Sequence, residues 1–292
     1  MEKEKVKMKM SPVDLHVHSN ESDGTVAPEE LVREAKQIGL SAFALTDHDT
    51  TEGLDRAIAC GESEEVEVVP GIELSTAYLG KDIHVLGYYM DYHNENFQEQ
   101  LKEFRDSRDV RNEEMFRRLR ELGFEKITTE ALLEAFDNPV ITRAHVAKFM
   151  LDCGYVKSRE EVFQRYIGDN CPCYVERKKI SPNQAVKLIT EFGGIPVLAH
   201  PLLYKFGTET LETLVASLKE DGLMGMEVIY STYNSREQRK LKELAKKYEL
   251  VITGGSDYHG TNKKDIKLGV GMGNLFVPAD CLENIKDLKN KL

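Results

Sequence analysis

Cysteine is scarce in this sequence, and its spacing matches no common cysteine motif. The five copies stand at positions 60, 153, 171, 173 and 281 of 292 residues. An odd number of cysteines without a CxxC pair argues against a disulfide framework and against a zinc site built from thiolates. The sequence therefore predicts a protein of a reducing compartment, the cytoplasm.

Positive charge is also in deficit. The chain has 39 Lys and Arg against 50 Asp and Glu, which gives a formal net charge of −11. This balance argues against a broad surface for duplex nucleic acid, because such binding rests on many Lys and Arg contacts to phosphates. An anionic ligand would need a local positive site.

Long apolar runs are missing as well. No stretch reaches the ~18 apolar residues of a membrane span, and the N-terminal MEKEKVKMKM has no apolar core of a secretion signal. With 41% hydrophobic and 30% charged residues, the chain has the composition of a globular protein and not of a disordered or fibrous one. We expect no membrane association and no secretion.

Short β-branched runs alternate with helical patterns from Val13 to Met90 and again after Ser181. Seven of these runs are typical of strands: VDLHV, AFALT, VEVV, IHVLGYY, IPVLA, MEVIY and LVITG. The rhythm is that of βαβ units, which form parallel sheets. It favours an α/β fold of TIM-like (β/α) barrel type over an open doubly wound sheet.

The first helix of this pattern has clear ends. Pro28 suits the first helical position and Gly39 the position just after the last, so PEELVREAKQI is predicted as a helix. Leu31, Ala35 and Ile38 lie on one face of it. We expect this face to be buried.

The alternation stops between residues 95 and 178. This segment carries helical stretches such as FQEQLKEFRDSRDVRNEEMFRRLRELG and no obvious strand before Tyr174. Alternation returns where Ser181 and Pro182 form a helix start. The sequence thus predicts a barrel made of residues 1–94 and 179–292, with residues 95–178 as a helical insertion domain that caps the substrate.

Histidines and carboxylates gather at the ends of the predicted strands. His16 and His18 are two apart, so the period of a strand aims both imidazoles to the same side. Barrel active sites are built at the C-terminal strand ends. Six of the eight histidines and three carboxylates follow this pattern: His16, His18, Asp23, His48, Glu73, His84, His200, Asp257 and His259.

Nine such residues exceed the needs of one tetrahedral zinc ion. Imidazoles and carboxylates without thiolate suit manganese, iron or zinc, so we expect several ions. The three carboxylates supply −3 and three divalent ions would supply +6, which leaves about +3. Such a centre attracts phosphate, lowers the pKa of bound water and holds both oxygens of an in-line displacement.

These residues lie in motifs that resemble the polymerase and histidinol phosphatase (PHP) family. The motifs are DLHVHSNESDGTVAPEELVREAKQIGLSAFALTDHDT, GIELS, HVLGY, AHP and GGSDYHG, in that order. The resemblance covers nearly the whole chain and is greatest to nucleoside 3′,5′-bisphosphate phosphatases, some of which trim RNA from the 5′ end. It implies a distorted seven-stranded barrel and a phosphoesterase that uses metal-activated hydroxide at three ions, typically manganese. The implied ligand groups are His16, His18, Glu73 and Asp257; Asp23, His48 and His259; and Glu73, His84 and His200.

The insertion offers residues for a phosphorylated substrate. Arg108 and Arg111 are three apart on a predicted helix and share a face. Arg143 and His145 follow Thr142, which suits a helix N-cap, and a helix N-terminus with an Arg is a phosphate site. Arg105 and Lys148 are further candidates, whereas the alternative for the Arg108 and Arg111 pair is a solvated helix face.

Several alternatives stay open on the sequence alone. Histidinol phosphate or another small phosphate ester would use the same chemistry. An amidohydrolase also has an HxH on strand one but needs a carboxylated Lys on strand four, where this chain has His84. A catalytically silent metal-binding barrel is the third alternative. Asp47 and Asp49 are expected to orient imidazoles or to cap the next helix.

Overall fold

The structure is a computed structural model that describes residues 12–136, 140–176 and 179–292. The N-terminal segment that lacks a secretion-signal pattern lies outside these residues. Eight strands occur in the described part of the chain. They are β1 (Pro12–Val17), β2 (Ala42–Leu45), β3 (Glu67–Tyr78), β4 (Lys81–Tyr88), β5 (Ile195–Leu198), β6 (Gly225–Tyr230), β7 (Val251–Gly255) and β8 (Val277–Pro278).

The strands form one sheet that curls into a nearly closed barrel. The order is β7-β6-β5-β4-β3-β2-β1-β8, and β1 also meets the end of β7, where Asp257 N donates to His16 O at 2.8 Å. The predicted α/β barrel fold is confirmed, with the seven predicted strands in place. The eighth strand is only two residues long and pairs antiparallel with β1, so it has no periodic pattern in the sequence.

The prediction of a uniformly parallel sheet is wrong at β4. This strand runs antiparallel to both β3 and β5. The reason is local, because Leu79 and Gly80 have φ angles of 49° and 73° and form the two-residue turn of a β-hairpin. β3 also extends beyond the predicted VEVV run and reaches Tyr78.

The described residues contain ten α-helices. They are α1 (Pro28–Ile38), α2 (Leu54–Glu64), α3 (Glu95–Glu121), α4 (Thr129–Phe136), α5 (Arg143–Asp152), α6 (Arg159–Val162), α7 (Pro182–Glu191), α8 (Thr208–Glu220), α9 (Ser235–Lys247) and α10 (Asp280–Lys289). None of these helices has the length and apolarity required to cross a bilayer.

The helix ends that the sequence predicts are present. α1 begins at Pro28 and ends before Gly39, whose φ is 80°. Ser181 caps α7 by accepting from Gln184 N. One expected core residue was wrong, since Ile38 is 50% exposed and Val32 is buried in its place.

The apolar side chains form three clusters in the described residues. Two belong to the barrel, and the third is built by α3 to α6 and the turns after them. α3 contributes to both regions, because Phe97 and Leu101 pack in a barrel cluster whereas Met115 and Phe116 pack in the helical one. The domain division at residues 94/95 and 178/179 stays a prediction. All five cysteines are free, and the cytoplasmic location also stays a prediction.

Candidate metal centre and cationic pocket

The nine predicted histidines and carboxylates lie together at one rim of the barrel, and they are called the ligand cluster below. Four groups within it have potential donor atoms within 4.8 Å of one another. The groups are His18, Asp23, His48 and His259; His16, Glu73 and His200; His16, His18 and Asp257; and His48, Glu73 and His84. The grouping differs in detail from the implied one, but Glu73 is shared between groups in both.

Glu73 lies at the centre of the ligand cluster. Its Oε2 is 3.3 Å from His16 Nε2, 3.2 Å from His18 Nε2 and 3.2 Å from His48 Nδ1. Its Oε1 is 3.0 Å from both His84 Nδ1 and His200 Nε2. One buried carboxylate therefore contacts five imidazoles and has the position of a bridging ligand.

The backbone turns sharply just after several strands, at or next to residues of the ligand cluster. Asp49, His200 and Asp257 have φ angles of 56°, 24° and 56°, a left-handed region that non-glycine residues adopt uncommonly and often at functional sites. Gly255 lets the end of β7 approach β1, because a Cβ there would lie 2.3 Å from His16 Cβ.

The reversal of β4 explains the position of His84. This residue is the fourth of the eight residues of β4 and pairs with Ser75 across the hairpin, and its Nδ1 lies 3.0 Å from Glu73 Oε1. The sequence pattern placed it at a C-terminal strand end, which is wrong. β4 nevertheless brings it to the correct rim because the strand runs the other way.

The donor set fits divalent cations. His16 Nε2 and His18 Nε2 are only 3.1 Å apart, with a Glu73 oxygen near both. Two buried ring nitrogens of the ligand cluster, His18 Nδ1 and His200 Nδ1, form no hydrogen bond within the described part of the chain. Buried polar atoms are normally paired, so these nitrogens and the crowded imidazoles and carboxylates around them match a site for metal ions.

Electrostatics in the cluster support the same fit. Burial lowers the pKa of His48 to about 4, and burial together with His259 holds the pKa of His18 well below its usual value. Burial alone would raise the pKa of Glu73, but the imidazoles of His84 and His16 hold it well below its usual value. Neutral imidazoles and an ionised carboxylate are the states that metal ligation needs.

The pKa of His16 is shifted in the opposite direction from that of His18 and His48. Burial opposes its charged form, but Glu73, Glu227 and Asp257 together raise its pKa well above the usual value. A proton on this imidazole balances the carboxylates of the cluster. A bound cation would take over that charge and displace the proton, as metal binding to histidine requires.

Three residues that the sequence reasoning missed support the ligand cluster. Glu227 on β6 is fully buried and lies 3.1 Å from His16 Nδ1. Tyr230 Oη and Lys263 Nζ each donate to Asp257 Oδ2 at 2.6 Å. The sequence did contain an indication that Glu227 has a special role, because it is an ionisable residue inside the otherwise apolar strand pattern of β6.

Asp47 has a different role from either predicted one. Its carboxylate accepts from Ser19 N, Ser19 Oγ and Ser22 Oγ. It neither orients an imidazole nor caps a helix in these contacts. Its function is to fix the loop after β1, which carries Asp23.

A cavity opens beside the ligand cluster, and four cations lie around it. Asp23, His48 and His84 form one side of the lining, and the side chains opposite belong mainly to the helical segment. This cationic pocket is lined by Asp23, His48, Ser75, Asp82, His84, Arg108, Arg111, Thr142, Arg143, Ala144, Phe163 and Lys179. The predicted Arg108, Arg111 and Arg143 are thus near the ligand cluster. Lys179 also lines the pocket, and the sequence did not indicate it because it lies in no motif.

Two carboxylates hold the cations in place. Arg108 is buried and ion-paired with Asp49, a contact that the sequence did not predict for Asp49. Asp82 binds Lys179 at 2.6 Å and Arg143 at 2.7 Å. The alternative of a solvated helix face for Arg108 and Arg111 is wrong, because both side chains are buried on α3.

The other substrate candidates are not among the residues that line the cationic pocket. His145 is buried, and its Nδ1 accepts from Thr142 N at 3.2 Å in the capping box that begins α5. Lys148 pairs with Asp152 on the same helix. Arg105 donates to Asp49 O at 3.1 Å and lines a separate cleft.

A nearly closed barrel, an imidazole and carboxylate cluster and an adjacent cationic pocket define an enzyme of the metal-dependent phosphoesterase class, a hydrolase. The chain belongs to the PHP domain family, whose model matches residues 14–166. The resemblance that the sequence motifs indicated is confirmed.

Known proteins similar to this chain carry related descriptions. It is 32% identical to the 3′,5′-nucleoside bisphosphate phosphatase of Chromobacterium violaceum, over 88% of this chain and 91% of that protein. It is 31% identical to a 5′-3′ exoribonuclease of Haemophilus influenzae, over 84% and 89% of the two chains. A Bifidobacterium adolescentis structure described as a candidate metal-dependent phosphoesterase superposes with a TM-score of 0.82 at 27% identity, over 94% and 95%.

Proposed function

We propose that this protein removes the 3′-phosphate from nucleoside 3′,5′-bisphosphates and that the same site trims short RNA from its 5′ end. One observation carries the proposal: the ligand cluster and four cations face a single cavity. A substrate with two phosphates can place one at the cluster and the other among the cations. The descriptions of the relatives support both activities.

The ligand cluster would hold three divalent ions, and we propose manganese, with iron or zinc as the other ions that such donors accept. Glu73 would bridge. Bound ions of this kind generate a nucleophile from water at neutral pH and neutralise phosphoryl oxygens. We propose all nine residues as ligands: His16, His18, Asp23, His48, Glu73, His84, His200, Asp257 and His259.

The cations of the pocket would bind the phosphate that does not react. Arg108, Arg111, Arg143 and Lys179 bring four positive charges to the lining, and Asp49 and Asp82 pair with three of these side chains. The concentration of cations on this side of the cavity suits a phosphate. Guanidinium groups donate two parallel hydrogen bonds to such an anion, which fixes the substrate relative to the ligand cluster. The buried His145 would act indirectly, by setting the start of α5 and so the position of Arg143.

The reaction adds water across the P–O bond of the 3′-ester. The products are a nucleoside 5′-monophosphate and inorganic phosphate. With histidinol phosphate, which has one phosphate, the cations opposite the cluster would have no anion to bind. This difference favours the bisphosphate over the single-phosphate alternative.

The test is phosphate release from adenosine 3′,5′-bisphosphate, measured with manganese, after removal of metal by a chelator, and after manganese is restored. We expect activity that is lost with the metal and returns with it. A 5′-labelled RNA oligonucleotide and histidinol phosphate serve as comparison substrates. A higher kcat/KM on histidinol phosphate than on the bisphosphate would contradict the proposed substrate and leave the phosphoesterase class intact.

A further inference from the structure

Phe163 is an unusual member of the cationic pocket. Among the described residues that line this cavity, it is the only large apolar side chain. It is 36% exposed, and it belongs to none of the three hydrophobic clusters of the described chain. Its presence in the lining is therefore not explained by core packing.

The backbone around Phe163 is held in a specific shape. The residue begins a π-helical turn, Phe163–Ile167, directly after α6. Such turns are rare and occur frequently at functional sites. The Cys171 thiol donates to Gln164 O at 3.2 Å, and a Cβ at Gly168 would lie 2.1 Å from Phe163 O. The turn is thus closed by close contacts that keep Phe163 at the pocket.

We propose that Phe163 is the platform on which the nucleobase of the substrate stacks. This inference rests on the proposed function, because it starts from a nucleotide whose two phosphates lie at the ligand cluster and among the cations. The base is the part of that substrate that has no partner yet. It is flat and has apolar faces, so an exposed aromatic ring at the same cavity suits it.

Stacking also fits the breadth of the proposed activity. Every nucleobase has a π-face, so an aromatic platform binds bases with little regard to sequence. Hydrogen-bonding side chains that read one base would restrict an enzyme that trims RNA ends. A phenyl ring beside the cations provides affinity without such reading.

The kinetic test compares two substrates that differ only in the base. They are adenosine 3′,5′-bisphosphate and its base-free analogue, 1-deoxyribose 3,5-bisphosphate. In the wild type, the base should make kcat/KM higher for adenosine 3′,5′-bisphosphate than for the base-free analogue. We expect Phe163→Ala to reduce this preference for the substrate with a base by at least about fivefold, the size of one lost stacking contact. Phe163→Tyr should restore this preference. The matched control is Phe276→Ala, which removes an aromatic side chain that is 57% exposed and outside the pocket.

A second measurement does not depend on turnover. The chain contains no tryptophan, so Phe163→Trp introduces a single fluorescent reporter at the proposed platform. We expect adenosine 5′-monophosphate to quench its emission in a saturable way and ribose 5-phosphate to leave the emission unchanged. Phe276→Trp is the control and should respond to neither compound.

The outcomes separate this inference from the proposed function. An unchanged substrate ratio in Phe163→Ala, or equal emission changes with both ligands in Phe163→Trp, would overturn the stacking role while the bisphosphatase activity stands. Wild-type protein that hydrolyses neither bisphosphate in the presence of manganese would overturn the proposed function and the stacking role together.

Discussion

Glu227 and His16 are joined inside the barrel by a contact of 3.1 Å between a carboxylate oxygen and Nδ1. The second oxygen of Glu227 accepts the backbone N–H of His200 at 2.8 Å. One buried side chain on β6 thus orients candidate ligands from two other strands. When neutral His16 donates from Nδ1 to Glu227, its Nε2 keeps a lone pair directed at the ligand cluster.

Glu227→Gln should therefore weaken metal retention without removing a ligand. Outer partners of metal-bound histidines typically contribute about 10- to 100-fold in metal affinity or activity. We expect a loss in that range, measured as metal content after dialysis against graded chelator. Glu243→Gln, on the exposed face of α9, is the control. Unchanged retention in Glu227→Gln would show that His16 is oriented by its backbone alone.

Glu73→Gln should release more than one ion from each chain. Its two oxygens contact five imidazoles, and an amide nitrogen in place of one oxygen cannot ligate a cation. Wild-type protein grown with manganese should hold two or three ions, and the variant at least two fewer, with nearly all activity lost. Elemental analysis of both proteins gives the counts. A variant with the full complement would exclude bridging.

Arg143→Ala should affect substrates according to how many phosphates they carry. A charge-assisted hydrogen bond contributes about 1.5 to 3 kcal/mol, so kcat/KM for adenosine 3′,5′-bisphosphate should fall roughly tenfold to more than a hundredfold. A chromogenic phosphate monoester has no second phosphate and should lose less than about threefold. Arg33→Ala, on the surface of α1, is the control. Equal losses on both substrates would assign Arg143 to the fold or to the cluster.

Arg108 should be a stability residue to a greater degree than Arg143. It neutralises Asp49, whose carboxylate is fully buried. Removal of one partner of a buried pair leaves an uncompensated charge and costs about 3–5 kcal/mol. Urea unfolding should show a loss of this size for Arg108→Ala and a smaller one for the Arg108→Ala and Asp49→Ala double variant. Additive losses would mean that the pair does not couple.

Asp14 should make stability fall as the pH rises from about 4 to about 6. Burial raises the pKa of this carboxyl from 3.8 to about 6, despite hydrogen bonds from Ser256 and Gly269. The folded protein therefore keeps a proton there that the unfolded chain has released, and this stabilisation is complete below pH ~4 and lost above pH ~6. Asp14→Asn cannot titrate. Relative to wild type, its unfolding free energy should rise by up to about 3 kcal/mol between pH 4 and pH 7, as measured by urea denaturation.

Most of the ligand cluster was predictable because its members lie in strand patterns or directly after them. His16 and His18 are separated by the period of a strand, and Asp257 and His259 follow another strand closely. The direction of β4 was not predictable from periodicity, because an antiparallel strand has the same alternation as a parallel one. Only the short turn at Leu79 and Gly80 distinguishes them.

The supporting contacts were out of reach for a different physical reason. Glu227 and Lys179 contact partners that are distant in sequence, and no local spacing relates them to those partners. Asp49 lies beside a candidate ligand in the sequence, yet it pairs with Arg108 on a helix 59 positions away. The residue types in the sequence showed which side chains can carry charge. Only the fold shows which of these side chains form ion pairs.

The closure of the barrel between β1 and β7 also fixes when the centre can form during synthesis. His16 and His18 leave the ribosome about 240 residues before Asp257 and His259. Because domains generally fold as units once their elements are available, the nascent chain lacks two of the nine proposed ligands until the residues after β7 emerge. A protein proposed to hydrolyse RNA would thus stay without its complete metal centre while most of this barrel is being synthesised beside ribosomal and messenger RNA.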